Sequence, residues 1–312
     1  MSVVSPVTVT VPASTANLGP GFDCIGAALT LYNQFKFTPL DSSLPEGVRI
    51  TVTGTEAALV NVSPDNLVYQ TFLKYYQYIN QTPPSVAIEI ELGVPLARGL
   101  GSSATAIVGG LVGANQLAGA PLSQIELMNL AIAIEGHPDN VVPALLGGCC
   151  LAAKRKDTNS WEICDISWHT ELLPVLAIPN FELSTQAARE VLPNDYSRAD
   201  AIFNIAHFGL LLRGLATGRG DWLKAALQDR IHQPYRKTLI AGYDAVGAAA
   251  LAAGAYGMVI SGAGPTLLAL VPSSQAKAVV AAMTTAWQEE GVKAQVQTFS
   301  VDTQGTCLMS NE

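Results

Sequence analysis

Pro95-Leu96-Ala97-Arg98-Gly99-Leu100-Gly101-Ser102-Ser103-Ala104-Thr105 lies between a strand-like run and a long helix pattern of small apolar residues. A helix that starts this way directs free backbone N–H groups at one spot, and its peptide dipoles favour negative charge there. Glycine lets the backbone close on a phosphate without a side chain in the way. The serine hydroxyls can serve an anion or a magnesium ion. The run therefore reads as a nucleotide-phosphate site. Two other readings stand beside it. Gly99-Leu100-Gly101-Ser102-Ser103-Ala104 also fits G-x-G-x-x-A, the dinucleotide fingerprint. Against that, the preceding strand ends too early, no βαβ unit opens before it, and the acid at the ribose position would be Glu126, inside a helix pattern. The other reading is plain close packing of a small-residue helix. No G-x-x-x-x-G-K-[ST] occurs, which removes P-loop ATPases.

On the N-terminal side of this run, Val86, Ile88, Ile90 and Leu92 alternate with Ala87, Glu89 and Glu91, the pattern of a strand with one buried face. Val3 to Val11, Gln34 to Thr38 and Val48 to Val52 also read as strands, and Ser63-Pro64-Asp65 as the opening of a helix to about Ile79. On the C-terminal side, Ser102 to Leu117 and Ser123 to Glu135 read as helices. After Leu151 to Asp165 the pattern restarts: strand Val175 to Pro179, helices Arg198 to Thr217, Trp222 to Ile231 and Thr238 to Ala253, strands Gly257 to Ser261 and Thr266 to Val271, helix Ser274 to Glu290 and strand Ala294 to Phe299. Strands and helices are segregated rather than strictly alternating, which favours α+β. A division near Trp161 to Thr170 gives two expected domains, 1–165 and 166–312, the second a small α/β sandwich.

The 312 residues are 49% hydrophobic and 13% charged, ample for a core and without the signature of disorder. The net charge of −8 argues against nucleic acid as a partner, because phosphate backbones need a basic surface. The one basic cluster, Lys154-Arg155-Lys156, reads as a solvated hairpin tip. Five cysteines without C-x-x-C spacing, and no signal peptide, fit reduced thiols in a cytosolic protein. Four scattered histidines form no metal spacing. Gly99 to Ile125 and Ala245 to Ala276 carry no charge, yet glycines, prolines and polar residues interrupt both, so buried structure is expected rather than a membrane span.

Three further elements carry chemistry. Pro12-Ala13-Ser14-Thr15-Ala16-Asn17-Leu18-Gly19-Pro20-Gly21-Phe22-Asp23 ends a strand in a polar loop; Asn17 and Asp23 are either turn formers or ligands for a hydroxyl or ammonium. Glu135-Gly136-His137-Pro138-Asp139-Asn140 closes a helix, which glycine and proline alone could explain, but four polar side chains in six residues exceed a plain cap. Ser261-Gly262-Ala263-Gly264-Pro265-Thr266 is a turn between apolar strands. Its functional reading is a loop that approaches the Gly99 run across the domain junction and fixes its position. Arg219-Gly220-Asp221 reads as a helix-starting turn.

Together, in this order, the four elements resemble those of the GHMP kinase superfamily (galactokinase, homoserine kinase, mevalonate kinase, phosphomevalonate kinase), and most closely its homoserine kinase branch. The resemblance runs from about Val7 to the C-terminal strand. It implies an N-terminal domain like the second domain of ribosomal protein S5 and a C-terminal ferredoxin-like domain. It implies transfer of the ATP γ-phosphoryl to the hydroxyl of L-homoserine with Mg²⁺, in a cytoplasmic homodimer of the threonine pathway. Residue by residue, it implies that Pro95 to Thr105 and Asn66 serve the nucleotide, and that Ser103 and Glu135 serve the ion. It assigns Asn17, Asp23, His137, Asn140, Arg189 and Arg236 to the acceptor pocket. Thr185, Arg189 and Asp23 then stand at the reacting centre. Thr105 stands where alanine is usual, and is expected to be tolerated on the helix flank.

The acceptor explains these residue types. Homoserine is a zwitterion with an alcohol: Asp23 suits its ammonium, Arg189 and Arg236 its carboxylate, and Asn17 and His137 its hydroxyl. Some relatives use an aspartate base where this chain has Thr185. A threonine hydroxyl cannot act as a carboxylate-type base, so Thr185 is expected to orient the alcohol while Arg189 polarises the region. A mevalonate or sugar kinase is the rival reading, and a non-catalytic ligand-binding member of the fold a more distant one.

Overall fold

A computed structural model describes residues 5–40, 47–158 and 160–309. In the first half, β1 (Val7–Ala16), β2 (Ile25–Pro39) and β3 (Val48–Gly54) precede α1 (Leu67–Tyr78) and β4 (Val86–Leu92). Then come α2 (Ser102–Leu117), α3 (Gln124–Glu135), α4 (Pro138–Leu146) and the hairpin β5 (Cys149–Lys154) and β6 (Trp161–Asp165). The second half runs β7 (Leu172–Pro179), α5 (Thr185–Glu190), α6 (Arg198–Thr217), α7 (Gly220–Ala226), α8 (Gln233–Arg236) and α9 (Tyr243–Ala252). It continues through β8 (Gly257–Ile260), β9 (Leu267–Pro272), α10 (Ala276–Glu289), β10 (Ala294–Thr298) and β11 (Cys307–Met309).

Among the described residues these strands make two sheets, a two-domain α+β arrangement. The first has seven strands in the order β11-β1-β2-β4-β3, with β5 on β2 and β6 on β5. Only β3 and β4 run parallel in it, joined by the α1 crossover that a parallel pair requires. The second has the order β10-β7-β9-β8, all antiparallel, which with its helices gives the βαββαβ succession of a ferredoxin-like sandwich. The chain's last strand returns to the first sheet, where Cys307 faces Thr10.

Small residues let α2 lie directly on the first sheet. A Cβ at Gly109 would stand 2.4 Å from the Phe35 ring, and one at Gly113 2.2 Å from that of Phe37. Close packing is thus observed along the flank of this helix; it leaves the phosphate reading, which concerns the N-terminus, open.

Several boundaries differ from expectation for local reasons. The first predicted strand starts at Val7, with Val3 and Val4 outside the described residues, and it continues to Ala16 after a register shift at Pro12/Ala13. Ser63-Pro64-Asp65 forms a turn, Asp65 N donating to Ser63 Oγ at 3.2 Å, so α1 begins only after its cap Asn66. The Trp222 helix stops at Ala226, because Asp229 gathers the N–H groups of Ile231, His232 and Gln233 at 2.7–3.0 Å. Gly242, at φ +71°, breaks the Thr238 helix and caps α9. Lys154 to Lys156 does lie at a hairpin tip, and Arg219 does cap α7. No helix among the described residues is long and apolar enough to cross a membrane.

Candidate active site

The Gly99 run, the loop after β1, the α3–α4 junction, the start of α5 and the turn after β8 line one cleft of about 580 Å³. Gly99 and Gly101 both take the left-handed conformation, φ +72° and +69°, and α2 starts immediately after, with Gly101 at its cap. Here glycine is required twice over: a Cβ at Gly99 would also meet the Ser261 carbonyl oxygen at 2.3 Å. The second glycine-rich turn clasps the first. Ser261 Oγ donates to the Gly99 carbonyl at 2.7 Å and lies 2.9 Å from Thr15 Oγ1, and Thr266 N donates to the Arg98 carbonyl at 3.3 Å. This is the positioning contact expected of the Ser261–Thr266 turn.

Not every residue of the run faces the cleft. Leu96, Ala97, Arg98, Gly99, Gly101, Ser102 and Ser103 line it. Leu100 and Ala104 are buried in the core, and Pro95 is half-buried outside the lining. The Arg98 guanidinium is committed to protein backbone, with Nε on Pro179 O at 3.0 Å, Nη1 on Leu96 O at 2.7 Å and Nη2 on Asn180 O at 3.2 Å. Thr105 is fully buried within α2. It accepts from Asn33 Nδ2 and donates to Ser102 O, both at 2.8 Å, while Asn33 Oδ1 takes the N–H groups of Gly93 and Val94. The threonine is thus tied into the segment that leads to the run.

Ser103 Oγ donates to Glu135 Oε2 at 3.1 Å. Burial pushes the Glu135 carboxyl up, against the opposing pull of His137 and of the Ser103 hydrogen bond. It also sits in the last turn of α3, where the helix dipole disfavours an anion and no basic residue compensates. A hydroxyl and a carboxylate, both hard oxygen donors, suit a magnesium ion.

Asp23 and Arg189, also in the lining of the cleft, form a bidentate ion pair, Oδ1–Nη2 2.9 Å and Oδ2–Nη1 3.1 Å. The two groups expected to take opposite charges of the acceptor thus pair with each other. Asn17 and Asp23 hold left-handed φ of 72° and 55°, uncommon for non-glycine residues and a frequent mark of a working loop. Asn17 is occupied on both sides of its amide, donating to Gly262 O at 2.8 Å and accepting from Asp23 N at 3.0 Å. Asn140 Oδ1 accepts from Ser14 Oγ at 3.0 Å. Thr185 is the exposed first residue of α5, and Arg236 is almost fully buried; both belong to the lining of the cleft. Asn66 caps α1 through Val68 N at 2.9 Å and donates to Asn61 O at 2.6 Å, beside an apolar wall of Phe35, Val60, Leu67, Ile90 and Leu92.

The residue that sequence reasoning passed over is Asp139. It lies in the first turn of α4, almost fully buried, with Oδ1 2.6 Å from His137 Nδ1. The signal was present in His137-Pro138, which opens a new helix straight after the old one ends, and the first turn of a helix favours an acid. Ligand atoms of Asp23, His137 and Asp139 lie within 4.8 Å of one another. Burial pulls the His137 imidazole down, but the hydrogen bond and charge of Asp139, with Glu135 and Asp23, outweigh it and leave the group raised. A raised value means the pair stabilises the fold below the ordinary imidazole pKa and loses that contribution as pH climbs through the raised one. An Asp139→Asn variant loses both the charge and the carboxylate hydrogen bond, and the His137 midpoint falls. An NMR titration of the ring reads this directly, and an unmoved midpoint would remove Asp139 as the cause.

Comparison with known proteins gives a consistent result. Residues 66–148 match the family model of the GHMP kinases N terminal domain, and residues 211–289 that of GHMP kinases C terminal. The chain is 71% identical to the homoserine kinase of Microchaete diplosiphon over 99% of each chain. It is 70% identical to that of Trichormus variabilis over 98% of this chain and 99% of the other. The crystal structure of homoserine kinase from Cytophaga hutchinsonii superimposes with a TM-score of 0.88 at 30% identity, covering 99% of both chains.

Proposed function

The chain belongs to the homoserine kinase family of the GHMP kinases, and on that footing we propose that it transfers the γ-phosphoryl of ATP to the side-chain hydroxyl of L-homoserine, giving O-phospho-L-homoserine. The observation that carries this reading is one cleft lined by a glycine-serine loop at a helix start, by Ser103 with Glu135, and by the Asp23–Arg189 pair with Arg236.

The apolar wall around Phe35 and Leu67 suits a flat nucleoside base, and the backbone from Gly99 to Ser103 the phosphates. Ser103 and Glu135 would hold Mg²⁺, which when bound neutralises phosphate charge. A zwitterionic acceptor replaces the Asp23–Arg189 pair with two of its own: its ammonium takes Asp23, with Asp139 adding negative charge, and its carboxylate takes Arg189 and Arg236. The exchange favours a molecule bearing both charges, because either charge alone leaves a protein group without its partner. Thr185 orients the alcohol. The protein's contribution is alignment and charge stabilisation, the main requirements of phosphoryl transfer. We assign the divisions 1–165 and 166–312, a homodimer and a cytoplasmic location as parts of the same proposal; five free cysteines support the last.

A coupled assay with ATP and Mg²⁺ against L-homoserine, mevalonate and galactose tests it. Turnover is expected with homoserine alone. Mevalonate carries no ammonium for Asp23, and galactose neither charge. Turnover with either of these and none with homoserine would overturn the assignment.

A further inference from the structure

Two guanidiniums border the acceptor end, and one of them has no carboxylate to itself. Arg236 is 2% exposed, and its Nε and Nη1 donate to the carbonyls of Ala188 and Gly262, each at 3.0 Å. Among the described residues no ion pair joins it to an acid. Burial and the like charge of Arg189 push it down to about 10, so it still carries its charge at neutral pH. Arg189 has an alternative partner in Asp23 and open water on its other side. Left to themselves, the two cations separate.

What they share is Phe22. The Arg236 Cζ lies 4.9 Å from the centroid of that ring and the Arg189 Cζ 5.7 Å, both within range of the ring quadrupole. The ring is itself seated. His232 stacks on it, centroids 5.1 Å apart and planes 23° apart. Nε2 of His232 lies 2.9 Å from the Gly19 carbonyl, which can only accept, so that nitrogen carries the proton. Nδ1 is buried without a partner, as expected for a neutral imidazole. Asp229 holds the His232 backbone N–H at 2.8 Å. The support beneath Phe22 is therefore fixed and adds no third positive charge.

We propose that Phe22 is a positioning residue for acceptor choice: its ring gathers Arg189 and Arg236 into one carboxylate-reading pair. This rests on the reading that these arginines take the homoserine carboxylate. A leucine of similar bulk fills the space but has no quadrupole, so Arg189, already half-exposed, turns toward solvent and the pair is lost.

The test compares L-homoserine with 3-aminopropan-1-ol, which is homoserine without its carboxylate, measured as an inhibitor. In Phe22→Leu the KM for homoserine rises about tenfold, while the constant for the amino alcohol and the KM for ATP stay within about twofold. Phe22→Tyr, which keeps the ring, restores the low KM. Phe22→Met carries the expectation of the leucine variant should that one unfold. An unchanged KM for homoserine, or a parallel rise for both compounds, overturns the proposal. Arg236→Lys separates this from failure of the underlying reading. If it abolishes the preference for homoserine while Phe22→Leu leaves it intact, the role of Phe22 falls and the carboxylate assignment stands. If Arg236→Lys also leaves the preference intact, the carboxylate assignment itself falls.

Discussion

A Glu135→Gln enzyme is expected to keep its fold and lose about two to three orders of magnitude in kcat with ATP, Mg²⁺ and homoserine. The amide fills the same volume and its oxygen still accepts the Ser103 hydroxyl now held at 3.1 Å. What disappears is the negative charge that would hold the ion. Metal stabilisation of a phosphoryl transition state is worth several kcal/mol, and each ~1.4 kcal/mol is a factor of about ten in rate. Stability should move the other way. Burial raises the Glu135 carboxyl, so folding disfavours its ionised form, and at neutral pH the charge costs the native state free energy. The thermal midpoint of the variant should match or slightly exceed that of the parent. A kcat reduced less than about tenfold would mean that the carboxylate does not hold the ion.

Gly99→Ala should be nearly as damaging, through geometry alone. The residue has φ +72°, where a Cβ costs about 1 kcal/mol. The added carbon would also stand 2.3 Å from the Ser261 carbonyl and 2.9 Å from Gly264 N, both backbone atoms that cannot swing aside. The two glycine-rich turns must then part, and a displacement of about 1 Å at a phosphate loop can cost roughly 100-fold in rate. Expected are a fall of that order in kcat/KM for ATP and a lower midpoint. Gly119→Ala provides the comparison: φ is +85°, but a Cβ there meets nothing within 4 Å. It should lose about 1 kcal/mol of stability and no activity. Equal kinetics for the two variants would show that the clasp between the turns does not position the loop.

Much of this site was legible before folding because its signals are local. Glycines and serines ahead of an apolar helix define an N–H-lined start within a few residues, and alternation in Val86 to Leu92 defines a strand with one buried face. Errors arose where a local pattern met a competitor from elsewhere in the chain. The helix predicted through Ile231 stops because Asp229 offers its carboxylate to three backbone N–H groups. Other partners are simply not written in the local pattern: Arg98, which lines the cleft, donates to the carbonyls of Pro179 and Asn180, and Thr105 accepts from Asn33. Asp139 was hidden by a break between two helices that reads, in sequence, as one ending.

By itself the amino-acid order determined the family, the two-domain α+β plan and the chemistry on offer: a glycine-serine loop, a carboxylate in a helix's last turn, and acids and arginines for a zwitterion. Backbone conformation and hydrophobic alternation are set by neighbours along the chain, so they survive in the linear record. Tertiary structure alone decided which of these groups meet. Asp23 finds Arg189 166 residues away, Ser261 closes on Gly99 across 162, and Asn17 reaches Gly262 across 245. A side chain's partner is the group that packing brings within about 3 Å, and no spacing rule along the sequence encodes that distance.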